Sequence, residues 1–157
     1  MIHAKIQRLF TVISGLWVGG FIAIGFLVVP VLFTTLGDRQ IAGVIAANLF
    51  KLNAYIGVGV CSLLMLVANH LAILGKCSYR QIRWILLLML MCAVAAAFII
   101  IPWMNALRDQ ALQLGIPVHD TSNAKLFGFL HAASSVIYII QSILGIALVW
   151  WSTKNVD

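Results

Sequence analysis

Four long stretches without a charged side chain, residues 9–37, 52–75, 84–107 and 126–153, dominate the chain, and charged residues fall almost only between them. Each exceeds the roughly 20 residues needed to cross about 30 Å of hydrocarbon, where only a helix satisfies its own backbone polar groups. The pattern predicts an all-α integral membrane fold: one domain over 1–157, built as a four-transmembrane-helix bundle with helices over about 9–35, 50–75, 83–106 and 125–152. Residues 38–51 carry Ile41, Ile45 and Leu49 at helical spacing, so this connection is expected to be an interfacial helix or an extension of the second helix. The connection at 108–125 holds Gly115 and Pro117, then Asp120 to Asn123, a turn followed by candidate N-caps.

Composition sharpens this picture. The chain is 63% hydrophobic and only 9% charged, against about a quarter charged in a soluble domain. Its net charge of +6 is spread over single Lys and Arg residues between apolar runs, which excludes a nucleic-acid-binding face. Lys5, Arg8, Lys76, Arg80, Arg83 and Lys154 fall on one side of the predicted topology. Arg39, Lys51, Arg108 and Lys125 fall on the other, with Asp38, Asp109 and Asp120 beside them. By the positive-inside tendency both termini are expected in the cytoplasm. Trp84, Trp150 and Trp151 fit the inner interface, and Tyr55 and Trp103 the outer one. The first apolar run is about twice a signal-peptide core and lacks a small-x-small cleavage pattern, so it is expected to stay as a helix. Cys61, Cys77 and Cys92 form no disulfide framework and are expected as free thiols.

The chain also carries a weak internal echo. Phe26 precedes Pro30 by four residues and Phe98 precedes Pro102 by four, and a Leu-Phe pair opens each return helix (Leu49-Phe50, Leu126-Phe127). Two tandem helical hairpins would explain it; chance matching among few residue types is the competing explanation. Both prolines remove a backbone hydrogen bond, so kinks are expected at Pro30 and Pro102.

The polar residues inside the runs are the candidate chemistry. His131, Ser134, Ser135, Tyr138, Gln141 and Ser142 recur at helical spacing and form a stripe expected to face the bundle interior. Either the stripe knits helices together or it forms a ligand or metal site, to which His119 would add a second imidazole. His70 lies near the opposite end of its helix from His131's level, so the two cannot share one haem iron. Cys61 with Met65, and Met89 with Cys92, place soft ligands near mid-membrane on adjacent helices. They are candidate copper ligands or simple apolar filling. Gly15, Gly19 and Ala23 make a small-residue face for close packing within the chain, or for a homodimer. No buried carboxylate, phosphate loop, serine elbow or HExxH motif is present, so ion-coupled transport and the common catalytic classes are disfavoured.

Over nearly its whole length the chain resembles the transmembrane protein 205-like family, four-helix membrane proteins whose bacterial members are of unknown function. The likeness rests on Gly15, Trp17, Gly19 and Gly20, on the stretch from Gly25 through Pro30 to Phe33, on Ala42, Ala46, Leu49 and Phe50, and on Phe129, His131, Ser134 and Ser135. It implies a bacterial inner-membrane bundle without established chemistry. More distantly the chain is similar to copper-resistance membrane proteins and a small four-helix haem-pathway oxidase. Three roles stay open at this level: a non-enzymatic protein binding a small ligand, metal or partner in its outer half, a haem- or copper-holding redox protein, and an accessory subunit of a larger membrane complex.

Overall fold

Described for residues 2–74 and 79–154, the computed structural model contains four long helices and, among those residues, no strand. Helix α1 comprises Ile2–Ala23, a π-turn at Ile24–Val28 and Val29–Thr35. Helix α2 is Arg39–Ile73. Helix α3 comprises Tyr79–Ala95, a π-turn at Ala96–Ile100 and Ile101–Gln113. Helix α4 is Ala124–Thr153. All four are long and apolar enough to span a membrane. Four passes put both termini at one end of the bundle, called here the terminal end; the opposite end is the loop end. Lys76 and Cys77, in the second connection, lie outside the described residues.

The 38–51 segment is an extension of the second helix. Asp38 stops the preceding chain and accepts hydrogen bonds from the Gln40 and Ile41 amides at 2.7 and 3.3 Å, capping α2 at its very start. At the far end of α3, Gly115 adopts φ 66°, its amide reaches the Leu112 carbonyl, and the Ile116 amide reaches Ala111. This Schellman closure needs a left-handed residue, and Pro117 then prevents helix from resuming. Gly115→Ala is expected to cost about 1 kcal/mol, visible as a lowered unfolding midpoint in mild detergent. Candidate cap Asn123 does stand at the start of α4, but its side chain makes no capping bond there; it donates to Gln110 instead, at 3.4 Å.

The two prolines act through π-turns. Pro30 cannot donate to the Phe26 carbonyl, and Pro102 cannot donate to Phe98. In each helix a five-residue π-turn ends two residues before the proline and holds the phenylalanine as its third residue. The Val29 and Ile101 amides close these turns on Ile24 and Ala96. The two outgoing helices therefore share a structural feature in the same register, as two tandem hairpins require. The return helices α2 and α4 contain no such turn.

Helices α2 and α3 pack along most of their length, and α4 lies against both α1 and α3. The main core runs through Phe10, Trp17 and Val18 of α1, Cys61, Leu64, Ala68 and Leu71 of α2, Tyr79, Ile82, Leu86 and Met89 of α3, and Leu148 of α4. A smaller cluster of Ile100, Met104 and Leu130 closes the loop end. Large apolar residues such as Leu16, Leu66, Ile73, Phe129 and Ile143 point outward, as lipid-facing surface requires.

Gly15, Gly19 and Ala23 do not serve packing within the chain, which corrects that expectation. Ala23 is exposed, and a Cβ built at Gly15 or Gly19 meets no atom within 4 Å. The large residues Phe10, Trp17, Val18 and Phe21 take the inner face of α1, leaving the small ones outside. Close approach is instead made at Gly145, where a Cβ would fall 2.9 Å from Val18.

Candidate functional site

The polar stripe of α4 divides in two along its length. His131 and Ser135 are exposed, Ser134 and Tyr138 are half-buried, and only Gln141 and Ser142 are buried, so the expected interior orientation fails for the stripe's outer turn. The reason is local. Both Ser134 and Ser135 donate to the carbonyl of His131, at 2.7 and 2.9 Å, and Ser142 donates to the carbonyl of Tyr138 at 2.9 Å. Hydroxyls satisfied on their own helix need no neighbouring helix, and can face outward. His131 lies parallel to the Phe127 ring, with centroids 6.5 Å apart, and the Arg108 guanidinium sits 5.3 Å from the same ring while bonding Asn105.

Tyr138 is placed by three aromatic neighbours and one hydrogen bond. Its ring stacks on Phe21 at 4.1 Å and meets Phe50 edge-on at 5.2 Å, with Phe26 at 6.2 Å. Its hydroxyl donates to the Phe21 carbonyl. Gly25 makes this possible, because a Cβ there would lie 2.6 Å from both the ring Cζ and the hydroxyl oxygen.

One turn deeper, three helices each bury a polar side chain near the middle of the bundle. Trp17 of α1, Asn53 of α2 and Gln141 of α4 are 9, 6 and 5% exposed. Gly57 of α2 joins them: a Cβ built there falls 3.5 Å from the Trp17 ring, 3.7 Å from Ala93 and 3.9 Å from the Gln141 amide nitrogen. Asn53 is one turn from Gly57 on the same buried face of α2, a rise of about 6 Å. The Trp17 indole N–H has no partner, and among the described residues neither the Asn53 nor the Gln141 amide makes a hydrogen bond. Trp17 offers one donor, and each amide offers two donors and an acceptor. The site is neutral, since no charged residue lies on the buried faces that meet there.

Sequence reasoning reached Gln141 as part of the stripe but passed over Asn53 and valued Trp17 only for its part in the family likeness. The signal was present: Asn53 is the polar residue that breaks an apolar run four positions before a glycine, a spacing that puts both on one helical face.

The other candidates are dispersed. His70 and His119 are exposed, His70 near the terminal end and His119 in a short 3₁₀ turn, Val118–Asp120, at the loop end. Cys61 and Met89 are fully buried in the apolar core, Met65 packs against that core, and Cys92 is half-buried. Cys61 and Cys92 are free thiols. Among the described residues no three His, Cys, Asp or Glu side chains gather at one point. At the terminal end, the Gln7 amide nitrogen and the Tyr79 hydroxyl are buried and likewise unpartnered, beside the edge-on Phe10–Tyr79 pair.

No curated protein and no solved structure matches this chain. A family model described as a domain of unknown function does match, over residues 12–113, which takes in most of α1 and all of α2 and α3 with Trp17, Asn53 and Gly57, but leaves Tyr138 and Gln141 beyond its end. On that match, covering well over half of the chain, this four-helix membrane protein belongs to the DUF4149 family.

Proposed function

We propose that this protein resides in a bacterial cytoplasmic membrane with both termini in the cytoplasm, and binds a small neutral polar solute inside its bundle, between Trp17, Asn53 and Gln141. The excess of Lys and Arg at the terminal end supports the orientation. The likeness to the transmembrane protein 205-like family supports the membrane setting.

The observation that carries the binding proposal is the set of three polar side chains, each more than nine-tenths buried: the Trp17 N–H is fully enclosed without a partner, and the Asn53 and Gln141 amides make no hydrogen bond to another described residue. A buried polar group lacking a hydrogen bond costs about 1–3 kcal/mol, and in hydrocarbon no water compensates from outside. Leucine at any of these positions would avoid that penalty, so a bundle that keeps all three uses their donors and acceptors. The absence of a charged side chain at this level selects neutral solutes, because an ion would enter without a counter-charge. The tight contacts around Gly57 limit the occupant to a few non-hydrogen atoms.

Cysteine accessibility tests this reading. In a chain with Cys61, Cys77 and Cys92 replaced by alanine, Gln141→Cys and Asn53→Cys should react with small water-soluble methanethiosulfonates in sealed vesicles. Ala68→Cys, equally buried but set within the apolar core, should not. Thiolates form only where water or polar groups reach the sulfur. Equal inertness at all three positions would overturn the proposal.

A further inference from the structure

We propose that the cleft between α2 and α3 at the terminal end is a binding groove for one anionic phospholipid, its phosphate held by Arg80 and Arg83. An open groove of about 540 Å³ is lined there by Met65, Asn69, Arg80, Arg83, Trp84, Leu87 and Leu90. Its chemistry is graded along the bundle. The two arginines lie in the first turns of α3, both exposed, and neither makes a hydrogen bond or ion pair with another described residue. The chain offers them little acid: of its four aspartates, Asp38, Asp109 and Asp120 all lie at the loop end.

The level of the membrane surface is marked independently. Trp84 is 65% exposed one residue beyond Arg83, and at the same end Lys154 lies 5.4 and 5.6 Å from the rings of Trp150 and Trp151. Tryptophans in this arrangement sit at headgroup depth, which places the two guanidinium groups level with lipid phosphates. Arg80 and Arg83 are three residues apart, neighbours on one helical face, and guanidinium groups bind phosphate oxygens in pairs. Deeper in the groove, Asn69 is half-buried without a hydrogen bond and is suited to donate to a glycerol ester. Beyond it Met65, Leu87 and Leu90 continue as an apolar track toward the bilayer centre, where an acyl chain would lie. Basic clefts between transmembrane helices next to the headgroup layer recognise acidic lipids by this combination of fixed charge and apolar wall. This assignment is independent of the interior site and of which side of the membrane the terminal end faces.

The test is lipid-dependent stability of the full chain purified in mild detergent. Added phosphatidylglycerol should raise the unfolding temperature, while equimolar phosphatidylcholine and inorganic phosphate should not. Native mass spectrometry should retain one phosphatidylglycerol per chain. Each arginine replaced by glutamine should weaken the lipid about fivefold, and R80Q/R83Q together about 25-fold. The unliganded melting temperature of that double variant should stay close to that of the parent, since neither side chain holds the fold. Equal stabilisation by phosphatidylcholine would show a non-specific lipid effect and overturn the proposal. So would stabilisation by phosphate alone, which would mark a site for soluble anions, or an unchanged lipid response in R80Q/R83Q.

Discussion

Gly25→Ala is expected to destabilise the purified bundle by about 2–4 kcal/mol, the larger part from overpacking and about 1 kcal/mol from a lost hydrogen bond. The added methyl would overlap the ring and hydroxyl of Tyr138. That ring cannot simply swing aside, because Phe21, Phe26 and Phe50 surround it and its hydroxyl is held by the Phe21 carbonyl. A double-mutant cycle with Tyr138→Ala isolates the cause. Tyr138→Ala alone should destabilise by about 3–5 kcal/mol through lost aromatic packing, and adding Gly25→Ala to it should cost little more. Thermal or denaturant unfolding in one detergent measures all four proteins. Additive costs would mean that Gly25 is needed for backbone conformation beside the π-turn, and not for its contact with Tyr138.

The opposite sign is expected one turn deeper. Gln141→Leu and Asn53→Leu each exchange an unpartnered amide for an apolar group of similar size, and each should raise stability by about 1–3 kcal/mol. The double variant should be more stable than either single one, and thiol reagents should no longer reach the level of Gly57. Stability gained with access lost is the signature of polar groups kept for function at the expense of packing. If both variants instead lose stability, the amides serve the fold through hydrogen bonds, and the interior-site reading falls. Gln141→Ala is a poor substitute in this experiment, since the cavity it leaves adds its own cost and masks the sign.

Arg108 shows how a residue changes meaning between chain and fold. Along the sequence it is one of four cations marking the less positive side. In the structure it is half-buried, bonded to Asn105 and set against the Phe127 ring next to His131. The loop-end arrangement at His131 is thus an outward-facing aromatic and cationic surface on the bundle's edge, with the two serines occupied by their own helix.

The four spans, the placement of charge at their ends and the pairing of Phe26–Pro30 with Phe98–Pro102 were legible without coordinates. Each follows from a local rule: the bilayer admits only long apolar helices, and a proline removes the same backbone donor wherever it stands. Even the answer to that missing donor, a π-turn of the same register in α1 and α3, is local in origin. Helix rotation about its own axis was another matter. In a soluble helix the apolar stripe reveals the buried face, but here the outward face is as apolar as the inward one, and periodicity loses its contrast. Gly15 and Gly19 therefore turn out to face away from the bundle, and His131 to face outward while Gln141, ten residues on, faces in. Asn53 and Trp17 gain their significance only when α1 and α4 bring Trp17 and Gln141 against Gly57, one turn from Asn53. That convergence is a property of tertiary packing, set by which large side chains fill the centre, and no spacing along one helix encodes it.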